Sequence, residues 1–572
     1  MQLAAWAVLL VGCGGAEEGT ATTASGTETE TDSETDTASS SSEGTTAGPE
    51  CADDEIICMD GQAFACAGGQ LGPGEACADA CVDGLGCVAC VPGESACEGE
   101  VVMACDDEGQ GYFELEVCDP VQGTSCDPDQ GRCEGACAPK NITPGALGCE
   151  FFPTVTSNLN GPGDDVPYAI AVANPSAGAA TITVEFLDVA VANEVVASGQ
   201  SVTIPLEWVF GLTGVDPESR IVKNGAYRLR SDRPVVVWQH SPLGVSGSVD
   251  AAILLPFHTW SDSHVVASYP GLDDPDQGIN YPSFYAVTAG RDQTQLTLSP
   301  PPGGVSVAVG QPGIQADGSG VANLNHLDVL QVFSVAGDDL TGARVDSSRP
   351  VQVIGGSTCA FVPDDATFCD HLEESMIPIA AAGDEFVIAP PGRVDDPTAA
   401  SEHVVRIISL EDDTSLTIDP NPGVGASLAS AGAYVELPAS ADAYWITADK
   451  PVIVAQYMLG VNAMVSSADP AMLAPPAVEQ FSEDAIFVTH AEWPDTRVDI
   501  VAPEGAAVTV DGNAVSGFNA IGGSGYAIAR VTIAASGVHT LSADAPVGAS
   551  VYGYVPDPVY ASYWAPVSYV FP

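Results

Sequence analysis

The sequence predicts an all-β protein. Its main body reads as four tandem β-sandwich-like repeats or, alternatively, as a closed propeller-like ring, preceded by small disulfide-rich modules and a disordered linker. Three observations carry this. After residue 150 apolar and polar residues alternate in short runs, as at Ile182, Val184 and Phe186 in "TITVEF", Leu296 and Leu298 in "TQLTLSP", and Val305, Val307 and Val309 in "VSVAVG"; a period of two marks half-buried strands. Gly, Pro and Asp punctuate these runs, as in "PPGG", "ADGSG" and "DPNPG", and no stretch has helical periodicity. Fourteen of the 17 cysteines crowd into residues 51–149, the mark of a small disulfide framework in an oxidising compartment.

At the N-terminus, residues 3–11 form an apolar run with the length of a secretory signal core, too short to span a membrane, and no Lys or Arg precedes it. The stretch "LVGC" at 10–13 resembles the lipobox of bacterial lipoproteins. The resemblance implies that residues 1–12 are a cleaved signal peptide, that Cys13 is the lipidated first residue, and that the chain is exported as a membrane-anchored lipoprotein. Several acyl chains anchor stably where one does not. Gly14 stands where inner-membrane retention uses Asp, which points to the outer membrane or cell surface. Residues 13–50, with "TASGTETETDSETDTASSSSEGTTAG", cannot bury a core and predict an extended, disordered acidic linker.

Residues 51–149 divide into two tandem disulfide-rich modules. "ADDEIICMDGQAFAC" lies over "VPGESACEGEVVMAC", and the cysteine spacing repeats. The first module holds Cys51, Cys58, Cys66, Cys77, Cys81 and Cys87; the second holds Cys90, Cys97, Cys105, Cys118, Cys126 and Cys133. Six each make three bridges each, with the connectivity open. Cys137 and Cys149 remain to staple the junction with the next domain, and Cys359 and Cys369 to clip one loop. The odd cysteine is Cys13. Cys87 and Cys90 have a zinc-like spacing, but no second close pair matches it. Modules this small lack a core, so their bridges supply the stability. Their pattern resembles the spacer repeats of secreted myxobacterial proteins, and they read as a stiff stalk.

Residues 150–572 repeat internally. "YRLRSDRPVVVWQ" (227–239) recurs as "ARVDSSRPVQVIG" (343–355), "YWITADKPVIVAQ" (444–456) and "HTLSADAPVGASV" (539–551). Each copy reads as a polar turn, then a Pro that begins a strand, where its missing N–H costs least. "RDQTQLTLSP" (291–300) matches "EDDTSLTIDP" (411–420), with a looser copy in "WPDTRVDIVAP" (493–503). A third signature follows each Pro-strand: "AAILLPF" (251–257), "ESMIPIA" (374–380), "PAMLAPP" (470–476) and "ASYWAPV" (561–567). These motifs and their order resemble the IgGFc-binding protein N-terminal domain family, which includes a mammalian mucus protein and many exported bacterial proteins. The resemblance implies an extracellular binding or adhesion domain, without a particular ligand or binding residue.

The charge is extreme, with 77 acidic residues against 15 basic ones and a net of −62. Such a surface repels nucleic acid, and it keeps a chain soluble. There is no G-x-S-x-G or H-E-x-x-H motif, so nothing marks an enzyme or a small-molecule substrate. "GLDDPDQG" at 271–278 makes Asp273, Asp274 and Asp276 weak calcium candidates, though without the ligand order of an EF-hand; turn chemistry explains the same residues. No other metal or cofactor is expected. "CDHLEES" at 369–375 reads as a solvated loop beside a disulfide. The predicted function is a lipid-anchored, non-enzymatic surface protein that recognises an extracellular protein or glycan through its β-repeat loops. The alternative is a structural envelope or matrix protein that self-associates.

Overall fold

The computed structural model describes residues 51–571 except 215–217, 246–247, 275, 277, 336, 364–365, 367, 461–468 and 556–558. Cys13, the predicted signal peptide and the linker lie outside the described residues. The described chain forms two compact units, one ending at Val88 and one running from Ala89.

The first unit is the first disulfide module. Ile56–Met59 pairs antiparallel with Gln62–Ala67 around the two-residue turn Asp60-Gly61. Both turn residues have positive φ, 52° and 75°, the conformation of a tight hairpin whose twist matches its strands. The bridges are Cys51–Cys66, Cys58–Cys81 and Cys77–Cys87. The second module has Cys90–Cys105, Cys97–Cys126 and Cys118–Cys133. In both, the first cysteine joins the third, the second the fifth and the fourth the sixth. The second module belongs to the larger unit. Arg230 reaches its Asp119 at 2.8 Å, and Cys137–Cys149 ties the segment after it to the first strand of the body.

The body repeats one strand plan along the chain. Its centre is a long strand shared by two small sheets: Arg228–Ser241, Arg344–Ala360, Gly537–Val555, and in the third copy the pair Tyr444–Ala448 and Val452–Met458. In the first copy, the N-terminal half of Arg228–Ser241 pairs with Gly148–Phe151 and Ala180–Phe186. Its C-terminal half pairs with Tyr168–Asn174 and Asp250–Ile253. The other copies follow suit.

This changes the reading of the Pro motif. Pro234, Pro350 and Pro546 sit inside their long strands, at the point where the strand leaves one sheet for the other. A residue without N–H suits that switch because no ladder bond is due there. In the third copy Pro451 falls where the strand breaks. The polar text before each Pro is therefore the first half of a strand and not a turn. "WPDTRVDIVAP" is also reassigned. Asp495–Pro503 pairs with the C-terminal half of its long strand, whereas Thr294–Ser299 and Thr414–Asp419 pair with N-terminal segments. The fourth counterpart of those two is Val508–Val510. "VSVAVG" contributes only an isolated bridge at Val307, hemmed in by glycines and prolines.

The two sheets of each copy differ in burial. Ala180–Phe186 and Thr294–Ser299 alternate buried and exposed residues. Tyr168–Asn174, Ser283–Ala289 and His403–Ser409 are buried along their whole length, as strands covered on both faces are. The second cover comes from the neighbouring copies. The short strands Asp250–Ile253, Asp370–Ser375, Met472–Leu473 and Ala561–Pro566 touch in cyclic order. The ends close the circle: Ala146 N donates to Tyr569 O and Phe571 N to Pro144 O, both at 3.0 Å. The body thus joins the two architectures the sequence offered, with sandwich-like elements set around one axis.

Candidate functional site

Each long strand is followed in the chain by an axial strand, and the ends of the first two long strands lie beside one short segment, residues 157–158. Asn158 Nδ2 donates to Ser241 O at 2.9 Å, at the end of the first long strand. Ser157 Oγ lies 2.9 Å from Thr358 Oγ1, near the end of the second, and donates to Gly214 O at 2.9 Å. The Cys359–Cys369 bridge clips the loop of the second copy. Beside it Phe368 packs on Tyr560 of the fourth, ring centroids 5.5 Å apart. Phe368 is 55% exposed, and Phe210, in the loop that Ser157 holds, is 89% exposed. Large apolar side chains that shed no water on folding are candidates for burial by a partner.

The calcium candidates lie at this end too. Asp273–Asp274 forms a small ribbon with Ile279–Asn280, and Leu272 N donates to Cys359 O at 2.9 Å. Asp273 and Asp276 are exposed. Among the described residues no three His, Cys, Asp or Glu side chains are grouped to hold a metal ion.

The axis beneath the loops is dense with buried acid. Asp250 is its hub. Its Oδ1 accepts from the backbone N–H of Ala251 at 2.9 Å and Trp564 at 3.3 Å, and its Oδ2 from Met472 at 3.0 Å and Glu373 at 3.2 Å. One carboxylate thus binds backbone from all four copies. Burial pushes this carboxyl up, and the amides pull it back. Asp370 Oδ1 accepts from Val249 N at 2.6 Å and His371 N at 2.8 Å. On the other face of that strand, Glu373 accepts from Thr156 Oγ1 at 2.6 Å and Gln239 Nε2 at 3.1 Å, and His371 Nε2 lies 3.3 Å from it. "CDHLEES" is therefore no solvated loop: Asp370–Ser375 is wholly buried. Its polar side chains find partners across the ring, which local composition cannot show.

Sequence reasoning passed over Asp250 and Asp469. A signal was present, since each stands six residues before the Pro of its third signature, Pro256 and Pro475. His264, two residues after Asp262, is buried, and burial pushes it down to about 3. The C-terminal aromatics Tyr552, Tyr554, Tyr563 and Trp564 are core.

A disulfide-bonded all-β ring with exposed aromatics between its strands has the build of an extracellular protein. The chain belongs to the IgGFc binding protein family, whose model matches residues 250–553, from the first axial strand into the last long strand. It is similar to the human IgGFc-binding protein, with 26% identity over 238 residues. That alignment covers 39% of this chain and 4% of the human protein. No solved structure matches the chain.

Proposed function

We propose that the chain is a lipid-anchored, non-catalytic surface protein whose loops at one end of the ring hold an extracellular protein or glycan. Cys13 carries the anchor, the acidic linker 13–50 clears the membrane, and the modules of 51–149 space the 150–572 body from it. The single observation behind the binding face is the convergence of loops from different copies, with Phe210 exposed and Phe368 and Tyr560 paired among them. Loops on a rigid scaffold are where recognition usually sits, and aromatic anchors dominate interface energies.

Arrays of extracellular glycans and proteins probed with the soluble chain test the face. Phe210→Ala and Phe368→Ala should each weaken a captured ligand about tenfold or more while leaving Tm unchanged; equal affinity for both variants rejects this face. Replacing Cys13 by Ser should move the protein from the membrane to the soluble fraction.

One observation favours the self-associating matrix reading. The outermost strand of the first copy, Val189–Val196, exposes Val189 (62%) and Val195 (71%) along an edge unpaired among the described residues. Concentration-dependent assembly that Val195→Lys abolishes, without any array ligand, would support it.

A further inference from the structure

The first and fourth copies meet through two histidines. His240 stands near the end of the first long strand, opposite Ala169 on one side and Ala251 on the other. His490 directly follows Ser482–Thr489 of the fourth copy. Their Nε2 atoms lie 3.1 Å apart, and their rings meet edge to face with 86° between the planes. They are 250 residues apart in the chain and only 5% and 8% exposed. Two Nε2 atoms at that distance share one hydrogen: one ring donates an N–H and the other accepts with its lone pair.

Little around the pair would steady a charge. Asp250, next to Ala251, is committed to four backbone amides at the axis. Tyr168, next to Ala169, gives its hydroxyl to Gln239. From the fourth copy Tyr563 faces His240, ring centroids 6.2 Å apart, and Trp493 packs on Tyr563 at 4.7 Å. The carboxylate acting on His490 is that of Glu492, which is exposed. Among the described residues the histidines with ion pairs are His371 and His539.

We propose that His240 and His490 form an acid-released latch that holds the first and fourth copies of the ring together. One hydrogen keeps it closed. A first added proton, on the far nitrogen of the donating ring, leaves the N–H···N bond in place. A second takes the accepting lone pair, and two N–H groups of like charge then face each other. Burial, and after it the charge of His490, holds His240 well below its ordinary value; burial lowers His490 against the pull of Glu492. The two titrate as a unit. A base lowered in the folded state lends its full stability above its unfolded value of about 6.5 and withdraws it as pH falls toward the folded one. The latch is therefore closed at neutrality and opens in acid. A zinc ion is the poorer occupant, since structural zinc takes four ligands and no three ligating side chains group here among the described residues.

His240→Gln combined with His490→Gln is the test, because one amide still donates to the other and neither ionises. Urea unfolding of the full chain and of the double variant is compared at about pH 7.5 and about pH 5. Between these the wild type should lose about tenfold or more in its folding equilibrium constant beyond what the variant loses, since only the wild type takes up protons on opening. Equal losses overturn the latch. So does a wild type that EDTA destabilises and that carries a stoichiometric metal by elemental analysis. If the double variant does not fold, hydrogen exchange of the wild type decides. Peptides spanning 236–241 and 484–493 should lose protection at about pH 5, while those around Arg406, which pairs with Asp339 of the second copy, keep theirs. Protection held at the seam, or lost evenly at both junctions, overturns the proposal.

Discussion

Arg406 joins two copies through one guanidinium. Its head is 3% exposed and pairs with Asp339 at 2.8 Å and Glu436 at 2.9 Å. It also donates to Ser268 O at 2.7 Å and lies over the rings of Tyr269 and Tyr434, 4.2 and 4.8 Å from their centres. Burial alone would raise Asp339, but the Arg406 charge and its hydrogen bonds hold it below the ordinary carboxylate range. Arg406→Ala strands that carboxylate in the interior and should cost roughly 3–5 kcal/mol in urea unfolding; a loss under about 1 kcal/mol would mean that water reaches the site. The pH sign is opposite to that of the axial carboxyl Asp469, which burial raises to about 8. A depressed carboxyl supports the fold above its unfolded value and withdraws that support as pH falls through the folded one, so Asp339 penalises strong acid while Asp469 penalises alkali. Little of this was legible in the sequence. Arg406 and Asp339 are 67 residues apart, and no periodicity pairs them. Asp250 stood in a visible motif, but its role needs backbone from three other copies, which no local pattern contains.

The long strand is the element that organises each copy, and it was half legible. Period two exposed the outer strands, because one of their faces meets water. The inner strands are buried on both faces, so they read as apolar runs without a face. The sharing of one strand by two sheets left only the Pro as a trace, and Pro alone looks like a turn. The geometry separates two kinds of position along Arg344–Ala360. Pro350 sits at the switch, where no ladder bond is made; Ile354 pairs with Ala286 and, in step with Thr358 N donating to Pro282 O at 3.0 Å, turns its N–H into the inner sheet. Pro350→Ala should therefore change stability by less than about 1 kcal/mol. Ile354→Pro should cost about 3 kcal/mol or more, from a lost ladder bond and a clash in the inner sheet. Comparable urea midpoints for the two variants would refute the assignment of the switch. Edge strands show a complementary device. Val189–Val196 carries an extra residue at Val191 opposite Ala180–Phe186, and Tyr112–Val117 one at Leu115 opposite Val101–Cys105. Such bulges twist an exposed edge away from unwanted pairing.

For the whole molecule, the repeats were legible and the circle only as the alternative to separate sandwiches. Motif order shows that copies follow one another; it does not show that the last meets the first. That closure rests on contacts more than 300 residues apart, such as Trp238 Nε1 donating to Pro566 O at 3.1 Å across a separation of 328. His240 and His490 meet at the same seam, Nε2 to Nε2 at 3.1 Å. Val567, Tyr569 and Phe571 insert beside residues 144–146, and all three are buried. If closure makes the ring one cooperative body, removing the inserted rings should divide it. Tyr569→Ala with Phe571→Ala removes two buried aromatics, each truncation costing about 3–5 kcal/mol in a core that cannot collapse. That loss falls chiefly on the seam between the first and fourth copies, although the bond from the Tyr569 hydroxyl to Ala474 O of the third copy goes with it. Calorimetry should then show the single transition of the wild type split in two, with the lower one belonging to the copies at the seam. A single transition merely displaced downward would mean that the copies cooperate through the axis, with Asp250 and its four amides rather than the seam as the joint.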